Sequence, residues 1–461
     1  MNKRLLCLFV VIISFSCEQD KGPKQKQHQI KSATWSAEVA PIILKNCTPC
    51  HRPGESGAFD LLNYRDAFRK GKLIKFVTQT KYMPPWPADP SYSHFVGERA
   101  LSDSDIELIK LWVDGGMPRG DSTSEPQAPK FYKGSYFRKP DLVIKPQKAV
   151  EIRGNGQDVF LIMKFPYEIP RDTIIDFVEF VPHHRKLVHH VNGHLVSYDS
   201  KRTFNYFSGE VIHSDTRSQL VEVYSGMHVP YTDKMEPHFP TLTPNVVYYL
   251  PGYLPPSYPP ELGGYRMRKN GMFLLNNIHY GPSNSDLRDS SYINVFYRKQ
   301  PVQRVITEVQ MGTFGISPIE PEFVIPANEI KTFHTQSQLP KTISLLSVNP
   351  HMHLIGKSFW AFVLKANGDT IPLIEIKKWD FRWQYYYTFK HPVKLERGSI
   401  IHVYGTYDNT NKNPNNPFHP PQSITQGNGV ESMKTSEEMF QFIFTYVNYK
   451  KGDEEIDLEG K

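Results

Sequence analysis

Two groups of residues in this sequence have the types and spacing to hold a metal: a cysteine pair and a set of histidines. Cys47-Thr48-Pro49-Cys50-His51 reads C-x-x-C-H. In a chain that leaves the cytoplasm this spacing attaches c-type haem (heme c). The two thiols form thioethers to the vinyl groups, and the adjacent imidazole ligates the iron. The other readings are a redox disulfide and half of a zinc site. No second cysteine pair completes a zinc site, and no βαβ pattern surrounds the motif as a thioredoxin-like fold requires. The leading candidate for a sixth iron ligand is Met83, in Tyr82-Met83-Pro84-Pro85-Trp86. A thioether there raises the reduction potential, and the proline pair stiffens the loop. Met117 is its main rival, and an open position is the third option.

The sequence carries 18 histidines. The informative ones are His183-His184, His189-His190, His194, His279 and His351-Met352-His353. Imidazole and thioether together suit copper cycling between Cu(I) and Cu(II). On a strand, residues i and i+2 share a face roughly 7 Å apart, so His351 and His353 can reach one ion. The adjacent His189 and His190 point to opposite faces of a regular strand. They share an ion only if the strand is distorted or ends there. Isolated histidines such as His213, His228 and His238 read as ordinary core or surface residues.

These side chains need elements to position them. The chain has 461 residues, about three domains' worth. Its 39% hydrophobic and 13% aromatic content excludes a disordered chain, and 38 prolines disfavour a mostly helical one. A net charge of +7 is mild for this length and argues against nucleic acid as a partner. Residues 1–17 read as a signal sequence: Lys3 and Arg4 precede an apolar run from Leu5 to Phe15 that is too short to span a bilayer. Ile13-Ser14-Phe15-Ser16-Cys17 resembles a bacterial lipobox, so Cys17 is expected to carry lipid and anchor the chain to a membrane of the bacterial cell envelope, facing the periplasm or the exterior; the other reading is an ordinary signal peptide whose cysteine is incidental.

Residues 18–32 read as a flexible tether. Residues 33–121 carry helical signals, including Ser102 with Asp105 at the capping-box position and a Gly115-Gly116 stop. They suit a small α-helical, class-I-like cytochrome c domain. Residues 122–136 form a linker. Strand signals dominate afterwards, and two all-β jelly-roll or sandwich domains are expected over 137–300 and 301–455.

Leu187-Val188-His189-His190, Ile278-His279-Tyr280-Gly281, His351-Met352-His353-Leu354-Ile355-Gly356-Lys357 and Glu438-Met439 follow one another in that order. This ordered set resembles the copper type II, ascorbate-dependent monooxygenases, the group of peptidylglycine hydroxylating monooxygenase and dopamine β-monooxygenase. The bacterial branch, with a cytochrome c domain in front, is most similar. Met83 to Asp89, Gly252-Tyr253-Leu254-Pro255-Pro256, Tyr407 to Thr410 and Asn413 to Pro417 resemble it too. The resemblance covers roughly residues 35 to 450.

That resemblance implies two copper ions facing each other across a solvent-filled cleft. His189, His190 and His279 would hold an electron-storing copper. His351, His353 and Met439 would hold the one that activates dioxygen, which makes them the catalytic set. A small-molecule or peptide substrate and an electron donor are implied, neither identified by the sequence. Two departures stand out. An arginine that anchors substrate in the peptidylglycine enzymes is Asn349 here, and a tyrosine after the methionine ligand is Ile443. The animal members' disulfides have no cysteines here, so packing must hold the β domains. The expectation is an exported haem- and copper-dependent monooxygenase that hydroxylates a C–H bond. The alternatives are a non-catalytic electron-transfer or copper-binding lipoprotein and, third, a cell-surface binding module.

Overall fold

The longer helices fall early in the chain and the strands late, with one short helix, Leu220–Gly226, among the strands. The structure is a computed structural model that describes residues 32–131, 134–135, 138–197, 205–213, 220–229, 245–302, 304–426 and 436–459. Cys17 and the expected signal sequence lie outside the described residues, as does His238.

A π-helical turn, Trp35–Val39, runs into the helix Ala40–Asn46, which ends at Cys47. The longer helix Tyr64–Gln79 starts at Asn63, whose side chain accepts from Asp66 N. Asp103–Asp114 starts with the Ser102/Asp105 capping box and stops at Gly115, satisfying backbone donors that a helix start otherwise leaves unpaired. Trp35, Ile43, Ile74, Ile109 and Trp112 close a small core between them. Each such buried side chain contributes roughly 1.5–3 kcal/mol.

The stretch between the second and third of these helices leaves that core. Ala88 and Phe95 are buried in the core of a β-unit formed more than two hundred residues later. Phe95 pairs with Phe389 as an isolated bridge. Asp89 N donates to Glu375 O (2.8 Å) and Val96 N to Thr388 O (2.7 Å). Residues 82–99 therefore act as a strap across the later unit.

The rest is predominantly antiparallel β-sheet. In the first unit, a five-stranded sheet runs Ile212–His213, Val159–Glu168, Asn270–Tyr280, Val188–Val196, Asn245–Tyr249. It shares one core with a four-stranded sheet, Leu142–Ile144, Tyr292–Tyr297, Thr173–Val181, Tyr265–Met267. In the second unit, the four-stranded sheet Thr307–Gly312, Gln441–Asn448, Ile343–His351, Tyr387–Leu395 shares a core with a five-stranded sheet. The latter runs Ile319–Glu320, Ile330–Gln338, Ile400–Asp408, Gly356–Leu364, Thr370–Ile376. Each pair is a β-sandwich. Ile343–His351 is buried along nearly its whole length. Leu345 and Val348 enter the second core while Leu346 enters the first, so its two faces belong to different units. Among the described residues no helix is long and apolar enough to cross a membrane.

Candidate functional site

The C-x-x-C-H segment forms a tight turn at the end of the Ala40–Asn46 helix. Cys50 N and His51 N both donate to Cys47 O, at 3.2 and 2.9 Å. This brings both thiols and the imidazole into one turn. Neither thiol is in a disulfide. Burial pushes the Cys47 thiol up to about 12 and raises Cys50 as well, which is the wrong direction for a reactive redox thiolate. His51 Nδ1 lies 3.0 Å from Phe59 O. A carbonyl only accepts, so Nδ1 carries the proton and Nε2 the lone pair. A ligating histidine needs that tautomer. The donor set fits a thioether-attached haem.

Of the two candidate thioethers, Met117 is engaged in packing. A Cβ on Gly71 would come within 2.3 Å of its Sδ, and it packs against the helical core. Met83 is half-buried at the start of the strap, its N donating to Val77 O at 3.1 Å. The cysteine turn also touches the first β-unit. Gly252 has φ +75°, and a Cβ there would lie 2.8 Å from Cys50 Sγ and 2.6 Å from Arg99 Nη1. Only glycine allows this approach. Arg99 completes the junction by donating to Gly252 O.

His189, His190 and His279 are gathered by a strand irregularity. Val188 faces Tyr280 and His190 faces His279, so His189 is an extra residue on its strand. Such a bulge breaks the two-residue alternation, and both neighbours can then turn toward His279. Ring centroids of His189 and His190 lie 4.6 and 5.1 Å from that of His279. Phe160 stacks on His279 at 4.2 Å. Asp158 Oδ1 accepts from His279 Nε2 at 2.8 Å, leaving the lone pair on Nδ1. The Asn277 amide engages His190 Nε2 at 3.1 Å. The facing atom is Asn277 Nδ2, which donates, so His190 Nε2 accepts and the ring proton sits on Nδ1. The ligand atoms of Asp158, His189 and His279 lie within 4.8 Å of one another.

His351 and His353 follow the two-residue rule. They sit at and just beyond the end of Ile343–His351, with ring centroids 5.1 Å apart. His351 Nδ1 donates to Gln384 Oε1. That amide is fixed because its Nε2 donates to Phe381 O at 2.9 Å. His353 Nδ1 donates to Glu437 O at 2.8 Å. In both rings the lone pair is on Nε2. The buried Glu438 carboxylate accepts from His353 N and Ile355 N, each at 2.8 Å, while burial pushes it up to about 8. Met439 is buried, and the peptide before it is anchored on His353 through these bonds. Tyr407 Oη donates to its carbonyl at 2.6 Å.

Burial holds His189, His190, His279 and His351 below the usual imidazole range, His351 down to about 3. Neutral imidazole is the ligating form, so the donors of both clusters fit copper. The Phe381 ring lies between them, its centroid 6.3 Å from that of His190 and 5.7 Å from that of His353. The cause is the loop after Trp379, which must reach His351 with Gln384 and carries Phe381 inward.

Other expectations resolve differently. Asn349 is buried and donates to Tyr385 O at 2.8 Å, and Ile443 is a core residue. His194 shares a strand with His189 but pairs with Asn245 and Leu274 away from the cluster. His183 and His184 meet Asp289 instead. Sequence reasoning missed Asp158, Asn277, Phe381 and Gln384. Asn277 was recoverable, since it lies two residues from His279 on one strand face. The others come from distant loops.

No curated relative matches the sequence. Among solved structures, PNGF-II in a P21 crystal form is 10% identical, with a TM-score of 0.21 over 69% of this chain. The chain spans 64% of that structure's length. The Gt strain of infectious bursal disease virus is 10% identical with a TM-score of 0.15, over 71% of this chain and 86% of that one. Residues 312–417, which carry His351 and His353, match the model of the copper type II ascorbate-dependent monooxygenase C-terminal domain.

Proposed function

We propose that the chain is an exported copper monooxygenase that hydroxylates a C–H bond with dioxygen and draws its electrons from a haem c on its own N-terminal segment. The family matched by residues 312–417 is one of copper-dependent monooxygenases, which supports an oxidoreductase activity. The carrying observation is the pairing of two neutral histidine clusters about one aromatic ring. Copper at the two clusters would supply one-electron storage and dioxygen activation.

The chain's own residues do the rest. Gln384 and the Glu437 carbonyl hold the Nδ1 protons of His351 and His353 and so aim Nε2. Glu438 clamps the turn between them. Asp158 orients His279. Met439 would supply the thioether of the second set, and Met83 would hold the haem iron together with His51. Contact between Cys50 and Gly252 supports electron entry from the haem segment into the β-units. The proposal includes lipid on Cys17 and an envelope location.

The test is metal and haem stoichiometry of the mature protein made in a host that matures c-type haem. About two coppers per haem are expected, falling to about one in His351→Ala/His353→Ala. Dioxygen uptake with a haem reductant should vanish in that variant. Two retained coppers with no uptake would leave a copper-binding electron carrier. No retained copper would sink the reading altogether.

A further inference from the structure

Outside both clusters, a third group of ligating side chains has no role in the function described above. His183 and His184 lie in the turn between the strands Thr173–Val181 and Val188–Val196. Asp289 ends the short strand Leu287–Asp289. The ligand atoms of all three fall within 4.8 Å of one another. The two imidazole centroids are 4.4 Å apart.

The site is organised before any ion arrives. The Asp289 carboxylate is 1% exposed. Its Oδ2 accepts from Tyr280 Oη at 2.9 Å and Ser291 N at 3.0 Å, and its Oδ1 from His184 N at 3.3 Å. His183 N donates to Ser291 Oγ at 3.0 Å, which ties the two turns together. His184 Nε2 lies 3.2 Å from Arg288 O. That carbonyl takes the Nε2 proton and leaves the lone pair on Nδ1. His183 is exposed, so its ring can rotate and solvent can reach a fourth position.

We propose that His183, His184 and Asp289 bind a third metal ion, a borderline divalent cation such as Zn2+. Two imidazoles and one carboxylate are a donor set that zinc accepts at about 2.0–2.2 Å, with water as the fourth ligand. The ion would link two turns of the first β-unit. One of them carries Arg185, which pairs with Glu55 of the haem-motif segment at 3.4 Å. The same turn leads directly into His189. The first β-unit contains no cysteine, so a metal ion is one cross-link open to it.

The experiment uses the full-length chain, stripped with chelator, exposed to Zn2+ alone and dialysed. Metal per protein is then read by mass spectrometry, and melting temperature by calorimetry. His183→Ala and His184→Ala are each expected to lose about one equivalent relative to wild type. His351→Ala/His353→Ala should still hold that equivalent, and the losses should add when the changes are combined. Zn2+ should raise the melting temperature of wild type more than that of His183→Ala. His183→Gln is a second variant that keeps polarity if the alanine misfolds. Full zinc retention in both folded single variants, or a zinc-dependent melting shift unchanged by them, would overturn the proposal.

Discussion

In the strand Val188–Val196 two adjacent histidines reach one place because the strand is bulged. At the end of Ile343–His351 two histidines reach one place because they are two residues apart. Their outer partners differ as well. In the first cluster Asp158 accepts from His279 Nε2 and leaves Nδ1 of that ring. Gln384 and the Glu437 carbonyl engage Nδ1 and leave Nε2 in the second. Ligation through Nδ1 brings the metal close to the backbone, whereas Nε2 holds it at the tip of the ring. The first arrangement suits a fixed ion and the second one that must accept a further ligand. The lesson is that the partner behind each ring decides which nitrogen faces the metal.

The strongest challenge to this contrast is removal of the second set. His351→Ala/His353→Ala should cut dioxygen uptake by at least about a hundredfold, because loss of outer partners alone costs 10- to 100-fold at metal sites. His190→Ala/His279→Ala should instead leave one copper in the second cluster, detectable by copper analysis. Next in size are the outer partners themselves. Asp158→Ala should weaken copper binding at the first cluster by about 10- to 100-fold and leave the second unchanged, and Gln384→Ala the reverse. Competition titration with a copper chelator measures both. If either change weakens both clusters equally, the sites are not separately built.

A smaller effect is expected at Gly281. A Cβ there would lie 2.6 Å from His189 Nε2, so Gly281→Ala should turn that ring and weaken the first cluster by roughly tenfold, or about 1.4 kcal/mol. Smallest is a pH effect remote from copper. Burial pushes Glu308 up to about 7, although it accepts from Tyr386 Oη at 2.7 Å. For an acid raised in this way, stability is fully present below the ordinary carboxylate range. It is lost as pH rises through about 7. Glu308→Gln should therefore gain about 2 °C in melting temperature over wild type at pH 8 relative to pH 5.5.

Much of the frame was legible. Ser102 with Asp105, and Gly115 after the helix, are local signals with local causes, and the structure follows them. The mostly-β character of the later chain followed from its alternating and aromatic runs. His351 and His353 were readable because the strand period is fixed. His189 and His190 were not, because a bulge is decided by pairing with Asn270–Tyr280, eighty residues away. Asp158, Gln384 and Phe381 were invisible for the same reason: each is brought in by a loop whose course depends on the packed sandwiches. The strap was hidden too. Nothing local in residues 82–99 tells Phe95 that its neighbour will be Phe389.

The strand Ile343–His351 lends one face to each core. It cannot be pulled from one sandwich without leaving a hole in the other. The two β-units are therefore a single cooperative block, in which slow amide exchange should extend through this strand to both sides at similar rates. Cutting the chain at residue 300 to obtain either unit alone would expose Tyr248 and Leu250 on one side and Leu346, Val447 and Leu458 on the other. The unit that can be transplanted, or inherited, is the pair.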